Sequence, residues 1–409
     1  MKPGYKQTEV GVIPEDWDVE KFENVGNYFK GCGISMHDVV ISGFPCIMYG
    51  DIYIKYDTYF KKCDFRINAL TAEKSKKAEH NDLFFTASGE TAEDIGRCVS
   101  YQGENDIFIG GDIIALRPNK KFSSLFLAYV QNSVPLKIQK ASFAQGHSVV
   151  HINSKSIEKL MFARPPLPEQ NKIAEALSDV DELIFSLEKL VAKKKSIKQG
   201  AMQQLLTGKK RLPGFTGEWK EIKLGQAGDI IRKSIDPQKF SSKIFREYSM
   251  PAFDTGKKPN VVTGSSMHSS RILISGEVLL FNKLNVRQKR VWFINHCEKH
   301  ALCSSEFLPY VSTQISLPLL SYYLLTDEAT SDFEGMSTGT SNSQKRITPK
   351  KFREYSLLVP STKQEQDAIA NTLSDMDSEI DALEQKLAKT RQLKQGMMQQ
   401  LLTGKIRLI

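Results

Sequence analysis

The densest grouping of soft metal ligands in the chain is His296-Cys297-x-x-His300-x-x-Cys303. Imidazole and thiolate are the ligands zinc prefers. Four of them within eight residues would require a loop folded back on itself, and the spacing is neither a finger nor a ribbon. We therefore read them as buried or incidental side chains and expect no metal. Thr207-Gly208-Lys209 lacks the upstream glycine of a phosphate-cradling G-x-x-x-x-G-K-[ST] loop, so a nucleotide motor is not expected. No Asn/Asp-Pro-Pro-aromatic motif is present, which leaves adenine methylation without a home. Arg164-Pro165-Pro166-Leu167 reads instead as a stiff entry to a helix. The acidic residues offer no paired carboxylates for one site, and no catalytic residues are assigned.

Recognition chemistry is better represented. Three polar, basic stretches fall in expected loops: Gly146-His147-Ser148, Arg287-Gln288-Lys289-Arg290, and Gly339-Thr340-Ser341 running on to Lys345-Arg346. Arginine and lysine pair with phosphates or with guanine edges, and amide side chains read adenine. These residues are the candidate DNA contacts. The tripeptides at Gly146 and Gly339 hold matching places in two otherwise divergent blocks. Lys and Arg outnumber Asp and Glu by 56 to 47, a net charge of +9 that favours a polyanionic partner.

The elements that must carry these loops come from a duplication. Residues 169–212 and 365–408 agree at about 26 of 44 positions without a gap. Apolar residues recur at Ile173, Leu177, Val180, Ile184, Leu187 and Val191, then at Ile369, Leu373, Met376, Ile380, Leu383 and Leu387. The steps alternate between four and three, a heptad seam suited to another helix. Pro168 suits a first turn, Thr362 and Glu365 have capping-box spacing, and Gly208 and Gly404 suit left-handed caps. Gly200 and Gly396 interrupt the pattern, as at a kink or a close helix crossing. Each helix should run about 40 residues, roughly 60 Å. Burying both seams against each other predicts an antiparallel pair. The alternatives are a seam packed on its own block, or a homodimer.

The remaining sequence reads as two mixed α/β blocks. Strand-like runs lie at Asp82–Thr86, Ile107–Ile109, Asp112–Leu116 and Glu277–Phe281, with short helices at Phe122–Gln131 and Leu317–Leu325. The strand order does not follow from the sequence. The expected layout is α+β: blocks 1–165 and 213–360, separated by long helices at 166–212 and 361–409, with an internal pseudo-two-fold repeat. Six cysteines without a C-x-x-C pair, and an N-terminus without a signal-like apolar core, fit a soluble, cytoplasmic protein.

The duplicated LSDxD and KQGxMQQLLTGKxRL cores, with PPLPEQ before the first and YKQTEVGVIPEDWDVEKF at the start, resemble the specificity subunits of Type I restriction-modification enzymes. The second copy departs from this, with Pro360-Ser-Thr-Lys-Gln-Glu365 in place of Arg164-Pro-Pro-Leu-Pro-Glu169. The resemblance implies two target recognition domains reading the halves of a bipartite double-stranded DNA site, held apart by the helix pair. It implies docking of methyltransferase subunits, usually two, and of restriction subunits. S-adenosylmethionine, ATP and Mg²⁺ would belong to those partners and no cofactor to this chain. The competing readings are a stand-alone bipartite DNA-binding regulator and a nuclease or methyltransferase with a diverged site.

Overall fold

The structure is a computed structural model that describes residues 3–146, 148–339 and 344–409. Two long helices organise it, Leu167–Leu205 and Lys363–Leu401, each of 39 residues or about 58 Å. They begin and end where the sequence signals placed them. Thr362 accepts from the Glu365 amide at 3.4 Å, and Gly208 and Gly404 both take φ near +70° just past the last turn. The capping box is only half made, because the Glu365 carboxylate is engaged elsewhere. Gly200 and Gly396 do not mark a close helix crossing. Both helices run through them unbroken, and a Cβ added at either would meet nothing within 4 Å.

The chain forms two compact units, residues 1–188 with 385–409, and residues 189–384. Each combines one globular block with half of each long helix. In the first unit Ile173, Ala174 and Leu177, from the start of one helix, share a core with Leu401 and Leu402 from the end of the other. In the second unit Leu205 and Leu206 share a core with Ile369, Ala370 and Leu373. The helices are therefore antiparallel. The seam does two jobs: its first positions also pack on the globular block, through Trp17 and Phe126 in one unit and Leu319 and Tyr322 in the other. Leu187, Val191 and Ile380 are buried, while Val180, Ile184, Met376, Leu383 and Leu387 are half-buried.

A carboxylate closes each unit. Glu169, 5% exposed, accepts two bonds from Arg407 at 2.7 and 2.9 Å and one from the Trp17 indole at 3.0 Å. Glu365, 2% exposed, accepts from Arg211 at 2.6 and 2.7 Å and from Trp219 at 3.4 Å. The correspondence continues along the helices. Gln170 accepts from the Ser123 amide and donates to Pro165, as Gln366 does with Ser316 and Pro360. Tyr129 donates to Asp181, which also holds Lys394, and Tyr322 donates to Asp377, which holds Lys198. Arg391 pairs with Glu188 and Lys195 with Glu384, each at 2.6 Å.

The globular blocks share a common core of sheet order despite their divergent sequences, and differ by an added strand in each sheet. The first has a sheet ordered Gly26–Lys30, Ile113–Pro118, Leu83–Thr86, Cys98–Tyr101 and Tyr59–Phe60; the second has Gly228–Ile230, Phe307–Ser312, Val278–Asn282 and Val291–Ile294. A further sheet in each contains one parallel pair, Val39–Ile47 with Ile107–Ile109 and Ile244–Tyr248 with Ala301–Ser304. The central strands Leu83–Thr86 and Val278–Asn282 are buried throughout, which is why they read as continuous apolar runs. Short helices Ser124–Gln131 and Leu317–Leu324 fall where the sequence predicts them.

Replacing Leu187 and Leu383 together by Asp should destabilise the chain by about 2–4 kcal/mol, since both side chains leave water on folding. Thermal denaturation measures this, and an unchanged midpoint would refute the seam assignment.

Candidate nucleic-acid interface

The two glycine-containing stretches occupy equivalent hairpins. In the first unit Gln145 and His151 exchange backbone hydrogen bonds at 3.1 and 2.8 Å. Val150–His151 pairs antiparallel with Ser88–Gly89, and the Ile152 amide donates to Ala87 at 2.9 Å. In the second unit Thr338 and Arg346 exchange the same two bonds at 3.0 and 2.8 Å, Arg346 bridges to Leu284, and the Ile347 amide donates to Lys283 at 2.9 Å.

The glycines are required by these turns. Gly146 has φ +118°, and a Cβ there would lie 2.1 Å from the Val149 carbonyl oxygen. Gly339 has φ +152°, and its Cβ would lie 2.9 Å from the Gln344 oxygen. Ser148 lies on the tip of the first hairpin and is exposed. His147, Thr340 and Ser341 lie outside the described residues.

The second unit brings its two predicted segments together. The Asn285 amide donates to Lys345 at 2.9 Å, so segment 284–290 runs beside the 338–346 hairpin. Asn285 at φ +50° and Lys289 at φ +48° bracket a single turn, Val286–Gln288, in a left-handed geometry that costs roughly 1 kcal/mol per residue outside glycine.

Of the five cations predicted here, four are already paired. Arg290 makes a two-pronged bond to Asp254, 2.8 Å on each side, which lowers the pKa of that carboxyl. Lys289 reaches Asp327 at 2.5 Å and the Leu325 carbonyl at 3.0 Å. Arg287 faces Glu334 at 3.4 Å and Arg346 faces Glu306 at 3.2 Å. Lys345 is exposed. Sequence reasoning showed the cations but not their carboxylates, which lie 36 to 47 residues away for Lys289, Arg290, Arg346 and Arg287.

It also passed over Asn285, whose side-chain oxygen is buried without a partner among the described residues. Asn285 lines an open cavity of about 410 Å³ with Gln288, Arg290, Asp254 and the apolar Met250, Pro251 and Leu284. The signal available was an Asn followed by Gln in a basic loop, which is the amide pattern suited to adenine edges.

The His/Cys segment does not converge. Cys297 and Cys303 point into an apolar core with Trp292 and Phe307, and burial pushes their thiols up to about 11 and about 12. His296 and His300 are exposed, and the His300 ring stands edge-on to Phe245 at 6.3 Å. Among the described residues no group of three or more His, Cys, Asp or Glu is placed to hold a metal.

Two like-folded blocks, each carrying a glycine hairpin and each closed by its own pair of helix halves, define a duplicated DNA-specificity architecture. The family model described as "Type I restriction modification DNA specificity domain" matches residues 14–199 and again 216–392. The chain belongs to that family. It is 24% and 23% identical to the type I restriction enzyme specificity subunits MjaX and MjaVIII of Methanocaldococcus jannaschii, covering 98% and 97% of this chain and 96% and 94% of theirs. The fold is similar to that of the Type I restriction-modification S subunit from M. genitalium, with a TM-score of 0.62 at 14% identity, over 98% of this chain and 99% of that one. A chain from a study of assembly and conformational transition in the type I R-M system gives 0.55 at 17% identity, over 96% and 99%.

Substituting Gly146 by Val should cost about 1–3 kcal/mol, because the Val149 carbonyl blocks the new Cβ and φ is unfavourable. Denaturant titration measures it. Wild-type stability in that variant would mean the hairpin is not held in this geometry.

Proposed function

We propose that this chain is the sequence-reading subunit of a type I restriction-modification enzyme. Blocks 1–165 and 213–360 act as target recognition domains, each reading one half of a bipartite double-stranded DNA site through its hairpin. The observation that carries the reading is the recurrence of the Gly146 and Gly339 hairpins at equivalent positions in blocks whose sequences otherwise differ. Arg287, Lys289, Arg290, Lys345 and Arg346 supply phosphate or guanine contacts. Exposed ion pairs are worth about 0–1 kcal/mol, so exchanging a carboxylate for a DNA group costs little. Asn285 and Gln288 add adenine-directed amides.

The two long helices, segments 166–212 and 361–409, set the unread spacer. Half-sites one turn apart lie roughly 34–36 Å from each other, within the reach of a 39-residue helix. Their exposed faces receive methyltransferase subunits, two in the full assembly, with restriction subunits joining that complex. Catalysis belongs to those partners, together with S-adenosylmethionine, ATP and Mg²⁺, and this chain is a non-catalytic reader acting on DNA in the cytoplasm. Among the described residues no helix is long and apolar enough to cross a membrane.

Mapping methylated adenines in a host that carries this chain with its partner methyltransferase tests the reading. A two-part motif with a fixed unread gap is expected. Tight, split-site binding by the isolated chain, with no methylation in the presence of the partner, would favour a stand-alone regulator instead. Changing Arg346 to Ala should relax one half of the motif and leave the other intact. Equal relaxation of both halves, or of neither, would contradict the modular assignment.

A further inference from the structure

The paired hairpins align the two blocks residue by residue. Ile152 donates to Ala87 as Ile347 does to Lys283, both at 2.9 Å. Ala87 donates in turn to Asp112, and Lys283 to Glu306, both at 3.0 Å. Thr86 donates to Arg97 and Asn282 to Arg290, again at 3.0 Å. In this register Ser88 matches Leu284, Val150 matches Lys345, and His151 matches Arg346.

His151 therefore stands where the second block holds one of its DNA-directed cations, and sequence reasoning did not single it out. It is exposed, between buried Val150 and buried Ile152. The two matching side chains are oriented by different devices. Arg346 leans on Glu306 at 3.2 Å, whereas the Ser88 hydroxyl meets Nδ1 of His151 at 3.0 Å. Ser88 is only 9% exposed. Its match, Leu284, has no hydroxyl, so the scaffold does not demand this bond. Nδ1 is the one partner of that hydroxyl among the described residues. The hydroxyl accordingly donates to Nδ1, which leaves the ring proton on Nε2. Nε2 has no partner of its own among the described residues.

We propose that His151 is a specificity-determining residue of the first half-site, donating from Nε2 to N7 of a purine, with Ser88 as its positioning residue. The proposal rests on the reading of this block as a target recognition domain. N7 is a major-groove acceptor that only purines carry. A single ring N–H cannot make the two-pronged bond that an arginine offers guanine. His151 thus separates purine from pyrimidine, a coarser distinction than its match can draw. Fixing the ring through Nδ1 beforehand lowers the ordering cost of that contact.

Mapping methylated adenines in hosts that carry the partner methyltransferase tests this, with the wild-type chain, His151→Ala, Ser88→Ala or Arg346→Ala. One position of the wild-type motif should hold a purine and admit pyrimidines in His151→Ala, discrimination falling about three- to tenfold. That position should lie in the half that Arg346→Ala leaves intact. Ser88→Ala should relax the same position more weakly while keeping the thermal midpoint of the wild type. His151→Gln, which retains a donor, should restore part of the preference. Duplexes with carbon in place of N7 at that position should bind the wild-type complex as weakly as a pyrimidine does. Should His151→Ala fail to fold, Ser88→Ala and these duplexes decide the matter. An unchanged motif in His151→Ala, relaxation in the half altered by Arg346→Ala, or full binding without N7 would overturn the proposal. Uniformly weaker methylation with an intact motif would mark a phosphate contact and overturn it equally. A wild-type chain that yields no two-part motif would instead remove the underlying reading, and this proposal with it.

Discussion

A carboxylate at the start of one helix, locked by a guanidinium from the end of the other, is the contact on which each unit depends. Glu169 and Glu365 are almost wholly withdrawn from water, a state a carboxylate tolerates only when its lone pairs are met. Arg407 and Arg211 supply a matched two-pronged fork, and the Trp17 and Trp219 indoles supply a further donor each. Removing one partner of such a pair typically costs about 3–5 kcal/mol, because the other is left charged and buried. The indole of Trp17 is itself completely buried, so the ion pair is fastened to the apolar core beneath it. Arg407 also grips Asp16 at 2.7 and 2.9 Å, holding the pKa of that carboxyl down.

This arrangement gives the duplication a mechanical meaning. The partner of Glu169 lies 238 residues further along the chain, whereas that of Glu365 lies 154 residues back. Each unit borrows the tail of the helix that began in the other half. The first unit is therefore completed by residues 385–409. The repeated helix sequence is what lets one set of side chains perform the same closure twice. The globular blocks above the clamps are free to diverge, since their sheet order, their Gln170 and Gln366 anchors and their Tyr129 and Tyr322 contacts suffice to seat them.

The helices were legible in the sequence because their signals are local and periodic. Heptad spacing, Thr362 and the terminal glycines each act within a few residues, and the structure keeps them. The apolar strands around Phe84 and Leu280 were visible for the same reason. Strand order was not, since a parallel pairing such as Cys46 with Phe108 joins segments that no local pattern relates. Gly146 and Gly339 were readable as turn positions because their conformation excludes a side chain. The cations beside them were readable only as charge. Arg290 and Arg346 are oriented by Asp254 and Glu306, and nothing near them in sequence announces those partners. Asn285 was passed over because a buried side-chain oxygen without a partner among the described residues is a property of the folded loop rather than of its composition.

Hydrogen exchange on the full chain carrying Arg407→Ala measures the closure most directly. Faster exchange is expected in strands Asp18–Lys21 and Met161–Arg164 and in the opening turns of the first long helix. Strands Trp219–Lys223 and Ser356–Pro360, which belong to the other clamp, should keep their protection. Unaltered exchange in the first unit, or an equal rise in both, would show that the buried Glu169 pair does not hold that unit shut.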